Sequence, residues 1–151
     1  MNMTSRIPVV RVEIARDRTM TYEGSRQIKC ADDAAAILSQ HVGNTDREMF
    51  VVMVLNTKHY VTAIHTVSVG CLDASIVHPR EVFKIAILGN ASGIIVGHNH
   101  PSGDPEPSPE DRHVTKRLLE AGVLLGIDVL DHIIVGDGGR FSSLKSRNMM
   151  H

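Results

Sequence analysis

Two histidines, a serine and an aspartate fall close together in His98-Asn99-His100-Pro101-Ser102-Gly103-Asp104-Pro105-Glu106-Pro107-Ser108-Pro109-Glu110-Asp111. Two neutral imidazoles and a carboxylate suit a zinc ion whose fourth position stays open. Such an ion lowers the pKa of a water to roughly 7, which makes hydroxide available at neutral pH. Chemistry of that kind needs the three side chains to converge. The apolar run Gly93-Ile94-Ile95-Val96-Gly97 predicts a buried strand leading into the motif. Strand alternation then puts His98 and His100 on one face and Asn99 on the other. Residues 101–107 hold three prolines and cannot continue a sheet ladder. Ser108-Pro109-Glu110-Asp111 predicts a helix start, with Ser at the N-cap, Pro at N1 and Asp at N3. A helix that begins there can return Asp111 to the imidazoles. Each piece alone has a plainer reading, because His-x-His is common and Ser-x-x-Asp is usually only a capping box. The joint spacing is sharper than either.

That spacing resembles the JAMM motif of the JAB1/MPN/Mov34 metallopeptidases. Val77-His78-Pro79-Arg80-Glu81-Val82-Phe83, the motif stretch from His98 to Pro105, and Leu130-Asp131-His132-Ile133-Ile134-Val135-Gly136-Asp137-Gly138 resemble one branch of that group, the RadC-type proteins. The likeness runs from about Val9 to Leu144. Long RadC-type proteins carry a helix-hairpin-helix-like domain ahead of the MPN domain, and this chain is expected to be the short, MPN-only form. The expected division is one MPN/JAB domain over residues 9–146, between loose termini at 1–8 and 147–151.

The resemblance implies an α+β, MPN/JAB-like (cytidine-deaminase-like) mixed sheet flanked by helices. It implies zinc held by His98, His100 and Asp111, and hydrolysis of a peptide or isopeptide bond. It further implies a glutamate outside the metal shell, on or just before the first strand of the core hairpin. That residue takes a proton from the water and hands it to the leaving amine. Glu48, ahead of Phe50-Val51-Val52, is the match. On spacing alone Glu48 would be a solvated residue, with Glu13, Glu23 and Glu81 as competitors. Glu81 suits the first turn of its own helix better. The resemblance gives Ser108 a second task beside capping, which is to steady the water and the developing oxyanion. One lost donor of that type costs roughly 100-fold to 1,000-fold in rate. No histidine-carboxylate relay is evident that would make Ser108 a nucleophile. Asp104 and Glu106 could replace Asp111 as ligands, but the family places neither there. Cys71 stands where RadC-type proteins more often carry Thr or Ser.

Other elements must position these residues. Val10, Val12 and Ile14 alternate and predict a strand. Asp32 and Asp33 suit a first helical turn, and Ala34, Leu38 and Val42 continue it as an amphipathic helix that stops at Gly43-Asn44. The runs at 50–55 and 60–69, joined by Asn56-Thr57-Lys58, predict a hairpin. Residues 70–77 give no clear element beyond room for a short helix. Pro79 opens the next helix with His78 near its N-cap, a stripe of Val82, Ile85 and Ala86, and an end at Gly89-Asn90. The helix from Pro109 is expected to bury Val114, Leu118, Ala121 and Leu125. A strand at 127–135, a turn at Gly136–Gly139 and a short strand near Phe141 complete an α+β order.

Composition bounds the function. At 151 residues, one domain is the default. The net charge is −1, from 16 basic and 17 acidic residues, which lacks the basic excess of a nucleic-acid or membrane-surface protein. With three Phe, two Tyr and no Trp, a stacking platform for single strands is not expected. Cys30 and Cys71 form no C-x-x-C, which fits a reducing compartment. No apolar run approaches membrane-spanning length and no signal peptide opens the chain, so a cytoplasmic protein is expected. Of the remaining histidines, His113 lies about 200° round a helix from Asp111 and is expected at the surface. His132 reads as structural or as a support to a ligand. His41, His59, His65 and His151 carry no signal. Besides a hydrolase acting on a protein or peptide, two other readings stand: a DNA-repair-associated accessory protein, as RadC-type proteins have been labelled, and a non-catalytic MPN scaffold. The filled ligand set speaks against the scaffold. His-Asn-His is not an HNH nuclease signature, whose residues are scattered over a ββα unit.

Overall fold

Phe50-Val51-Val52-Met53-Val54-Leu55 is apolar at every position, a pattern that suits a strand covered on both faces. In the computed structural model, which describes residues 1–70 and 77–151, this run lies in β1 (Met49–Leu55) and is at most 1% exposed. On one side β1 pairs antiparallel with β2 (Val61–Val69), the expected hairpin. On the other it pairs antiparallel with β3 (Gly93–Asn99), setting Phe50 opposite His98. β3 runs parallel to β4 (Asp128–Val135), and β4 pairs antiparallel with β5 (Phe141–Ser143). The sheet order is β2-β1-β3-β4-β5. Parallel neighbours need a crossover. Here it is α3 (Pro109–Leu125), so the helix that carries Asp111 is also the link that closes the sheet.

Helices cover both faces. On one, Ala34, Ala35 and Leu38 of α1 (Ala31–Val42) pack with Val51, Met53, Ile95 and Ile133. On the other, Val82 and Phe83 of α2 (Pro79–Leu88) and Val114 and Leu118 of α3 pack with Phe50, Val52, Ile94 and Val96. The result is the expected α+β arrangement, with one mixed five-stranded sheet and three helices among the described residues. Local chemistry sets the helix ends. The Asp33 carboxylate accepts the N–H groups of Lys29 and Cys30 at the start of α1. His78 Nδ1 accepts the Arg80 N–H at 3.1 Å at the start of α2. Gly97 lets α1 approach the middle of β3. A Cβ there would collide with Leu38 and stand 3.0 Å from the Ile133 carbonyl.

Three expectations need correction. Residues 10–14 form no strand, and Val9, Val10 and Val12 are at least 72% exposed. Alternation supplies a strand's pattern but not its partner. Among the described residues only Gln27 bridges to the start of β2, at Tyr60. The chain gains cover later, where Met20 and Tyr22 pack beside α1. Second, Leu125 is exposed with Val123 and Leu124, while Thr115 and Gly122 take buried positions on α3. The last turn of α3 overhangs the sheet. Third, Phe83 rather than Ile85 is the large buried side chain of α2. Near the C-terminus Arg147 pairs with Glu106 at 2.8 Å, and Met150 packs against the core cluster that includes Val114 and Leu118. Cys71 and most of the 70–77 stretch lie outside the described residues.

Candidate metal centre

β3 delivers His98 into the core at 1% exposure. One residue past the strand, the His100 N–H still donates to the Val135 carbonyl at 3.0 Å, so His100 keeps the strand direction and the same face as His98. The proline-rich loop then leaves the sheet and is tied down at Gly103. The Gly103 carbonyl accepts from the Asp137 N–H at 3.0 Å and from Arg140 Nη2 at 2.7 Å. Gly103 has φ of +90°, and a Cβ on it would collide with the Asp137 side chain, while a Cβ on Gly136 would collide with the Gly103 carbonyl. The loop ends at Ser108, whose Oγ accepts the Asp111 N–H at 3.1 Å. In return the Ser108 N–H donates to Asp111 Oδ2 at 2.8 Å. The plain capping box is therefore present, and it aims the Asp111 carboxylate. Capping and ligand presentation are one arrangement.

His98, His100 and Asp111 converge, with one ligand atom from each lying within 4.8 Å of the others. His98 Nε2 is 3.0 Å from His100 Nε2 and 3.1 Å from Asp111 Oδ1, and His100 Nε2 is 3.2 Å from Asp111 Oδ2. Ligand bonds of about 2.0 Å at tetrahedral angles place donor atoms about 3.3 Å apart, close to the separation of the two Nε2 atoms, while the two oxygens of Asp111 divide between the imidazoles. The donors are also in the right form. Burial pushes the Asp111 carboxyl up, but the imidazoles of His100 and His98 and the Ser108 N–H outweigh it and hold the group well below its ordinary value, ionised. His100 Nδ1 lies 2.8 Å from the Asp104 carbonyl, which can only accept. His100 is therefore protonated at Nδ1, and its neutral form presents a bare Nε2 to the cluster. The Asp111 carboxylate raises His100 above its usual pKa against the effect of burial. The Asp104 carbonyl and the charges of Asp111 and Glu48 add to the rise. His98, His100 and Asp111 can hold a metal ion.

Three further side chains support the site, and of these only His132 reads from the sequence as a possible support to a ligand. Phe50 stacks on His98 with ring centroids 6.0 Å apart. His132, fully buried in β4, has Nε2 2.8 Å from His98 Nδ1 and Nδ1 2.6 Å from Thr115 Oγ1. Asn99 points to the opposite face, as alternation requires, and braces the backbone on both sides of Glu48. Its Oδ1 accepts the Met49 N–H at 2.7 Å and its Nδ2 donates to the Arg47 carbonyl at 2.9 Å. The half-buried Glu48 thus sits on a fixed stretch of chain at the start of β1, and its charge reaches His100.

The competitors are elsewhere. Glu81 is paired with Lys84 at 2.7 Å, Glu13 lies in an exposed pair with Arg11, and Glu23 is exposed. Glu106 is engaged by Arg147, and Asp104 Oδ1 accepts the Glu106 N–H within the loop. His113 is exposed, as its angle from Asp111 predicts. Among the described residues, no helix is long and apolar enough to cross a membrane.

A family model described as RadC-like JAB domain matches residues 28–149. Similar curated proteins include a UPF0758 protein of Alkaliphilus metalliredigens, 56% identical over 140 residues that make up 92% of this chain and 60% of that protein. A UPF0758 protein of Desulforamulus reducens is 52% identical over 123 residues, 82% of this chain and 54% of its own length. One of Moorella thermoacetica is 57% identical over 118 residues, 78% and 51% of the two chains. The chain spans about half to three-fifths of the length of these relatives. With the family model covering most of its residues, the chain belongs to the family of RadC-like JAB domains.

Proposed function

We propose that the protein is a zinc-dependent hydrolase of the JAMM type that cleaves a peptide or isopeptide bond. The observation that carries the reading is the convergence of His98, His100 and an ionised Asp111, with one ligand atom from each within 4.8 Å of the others. Bound zinc supplies Lewis-acid polarisation and a water that ionises near neutral pH. Glu48, next to the triad on its braced segment, accepts the proton of the attacking water and returns it to the leaving amine. Ser108 Oγ accepts the Asp111 N–H, which leaves its own hydroxyl hydrogen to steady the oxyanion. The buried rings of His98, His132 and Phe50 close the inner wall against water.

The test is cleavage of a panel of fluorogenic peptides and lysine-isopeptide substrates by untagged protein. Activity is expected to vanish with a chelator and return on adding zinc. Stoichiometric zinc with no cleavage of any bond type would favour a binding scaffold instead. Zinc affinity should also depend on pH in a stated direction. Zinc must displace a proton from His100, whose pKa is raised above 6.5. Below that raised value, affinity should climb about tenfold per pH unit as pH increases, then level off above it. Competition titrations with a chelator of known proton affinity from pH 6 to 9 would read this, and an affinity flat across the range would contradict it.

A further inference from the structure

The direction of each hydrogen bond behind His98 can be worked out by counting hydrogens. Thr115 Oγ1 makes two short contacts, 2.7 Å to the Asp111 carbonyl and 2.6 Å to His132 Nδ1. A hydroxyl has one hydrogen, and a backbone carbonyl can only accept. The hydrogen therefore goes to the Asp111 carbonyl, and Oγ1 must accept from His132 Nδ1–H. His132 is fully buried among Phe50, His98 and Thr115, and its two ring nitrogens face a hydroxyl and an imidazole rather than a carboxylate, a setting that suits a neutral ring with a single hydrogen. With that hydrogen on Nδ1, His132 Nε2 is bare and accepts from His98 Nδ1–H across 2.8 Å. His98 is then left with a bare Nε2 facing His100 and Asp111.

We infer that Thr115 and His132 are positioning residues that fix the ring hydrogen of His98 on Nδ1 and so keep Nε2 open as a metal ligand. The inference rests on the metal-binding reading and deepens it. His100 has a backbone carbonyl for this purpose, whereas His98 depends on a relay whose polarity Thr115 sets. The relay closes on itself, because the carbonyl that orients Thr115 belongs to Asp111, another member of the cluster. α3 thereby supplies one ligand from its first turn and orients a second ligand from the following turn, through β4. A histidine present only for packing would keep the preference of the free side chain for the Nε2–H form. The relay demands the Nδ1–H form, the less common one for a free histidine side chain.

Two measurements test it. Long-range 15N–1H correlation spectra of the zinc-loaded and metal-free protein should show His132 neutral and protonated at Nδ1. Thr115→Val keeps the shape but removes the acceptor, so His132 should shift its hydrogen to Nε2 and zinc affinity should fall about 10-fold to 100-fold. Thr115→Ser keeps the hydroxyl and should restore affinity to within about threefold of the parent, a rescue well inside the loss attributed to the valine. A His132 protonated at Nε2 in the parent, or a Thr115→Val variant that binds zinc as tightly as the parent, would overturn the relay. A parent that shows His132 Nδ1–H yet binds no zinc would uphold the relay and overturn the metal reading.

Discussion

Glu48→Gln is expected to leave zinc binding intact and to lower hydrolysis by about 100-fold to 10,000-fold, the usual contribution of a positioned proton carrier. Glutamine keeps the shape and loses the basicity. Glu48 lies outside the three-ligand cluster, so zinc content should not move. The fold should not move either. The backbone around residue 48 is held by main-chain and Asn99 contacts, with the Gly70 N–H on the Glu48 carbonyl at 2.8 Å and Asn99 on Arg47 and Met49. The separation of rate from metal content is what identifies a base rather than a ligand or a structural residue. Rates and zinc content measured on the same preparation decide the matter. Undiminished turnover would move the base elsewhere, and the structure offers little choice, since Glu13, Glu23 and Glu81 are exposed or paired away from the cluster.

His100→Ala is expected to weaken zinc binding by more than about 100-fold. The loss of a partner that only orients a ligand already costs 10-fold to 100-fold, and removing the ligand itself costs more. The chain should still fold. His100 lies one residue beyond β3, its side chain is 14% exposed, and its backbone N–H bond to Val135 survives the substitution. Asp111 would lose one imidazole but keep the Ser108 N–H and His98. His98→Ala would be a poorer test. It removes a fully buried ring between Phe50 and His132 and strands His132 Nε2, so instability would confound metal loss.

The His98–His100–Asp111 cluster was legible because it is written in short-range terms. Alternation put His98 and His100 together, and the capping box brought Asp111 to them by hydrogen bonds spanning three residues. The α+β order and the 50–69 hairpin were legible for the same reason. What escaped depends on pairings between distant segments. His132 joins the site only because β4 runs parallel to β3 with Val96 opposite His132. Thr115 falls one helical turn beyond Asp111, a spacing visible in the sequence but without meaning until His132 is placed. Asn99 was correctly set on the far face, yet nothing local shows that this face meets the chain at Arg47 and Met49, about fifty residues away. The opposite error occurred at Val10–Ile14, where a strand-like pattern has no strand beside it. Glu48 came from resemblance alone. The structure shows only that its charge is felt at His100, and its role as base belongs to the proposal.

The most direct test of the central claim is elemental analysis of untagged protein, since a histidine tag would itself carry metal. Parent and His100→Ala would be compared after identical purification and dialysis, with circular dichroism to confirm that both are folded. About one zinc per chain in the parent and little in the variant is the predicted result for a three-ligand site. No zinc in the parent, even after refolding with added metal, or equal zinc in a folded His100→Ala variant, would contradict the account.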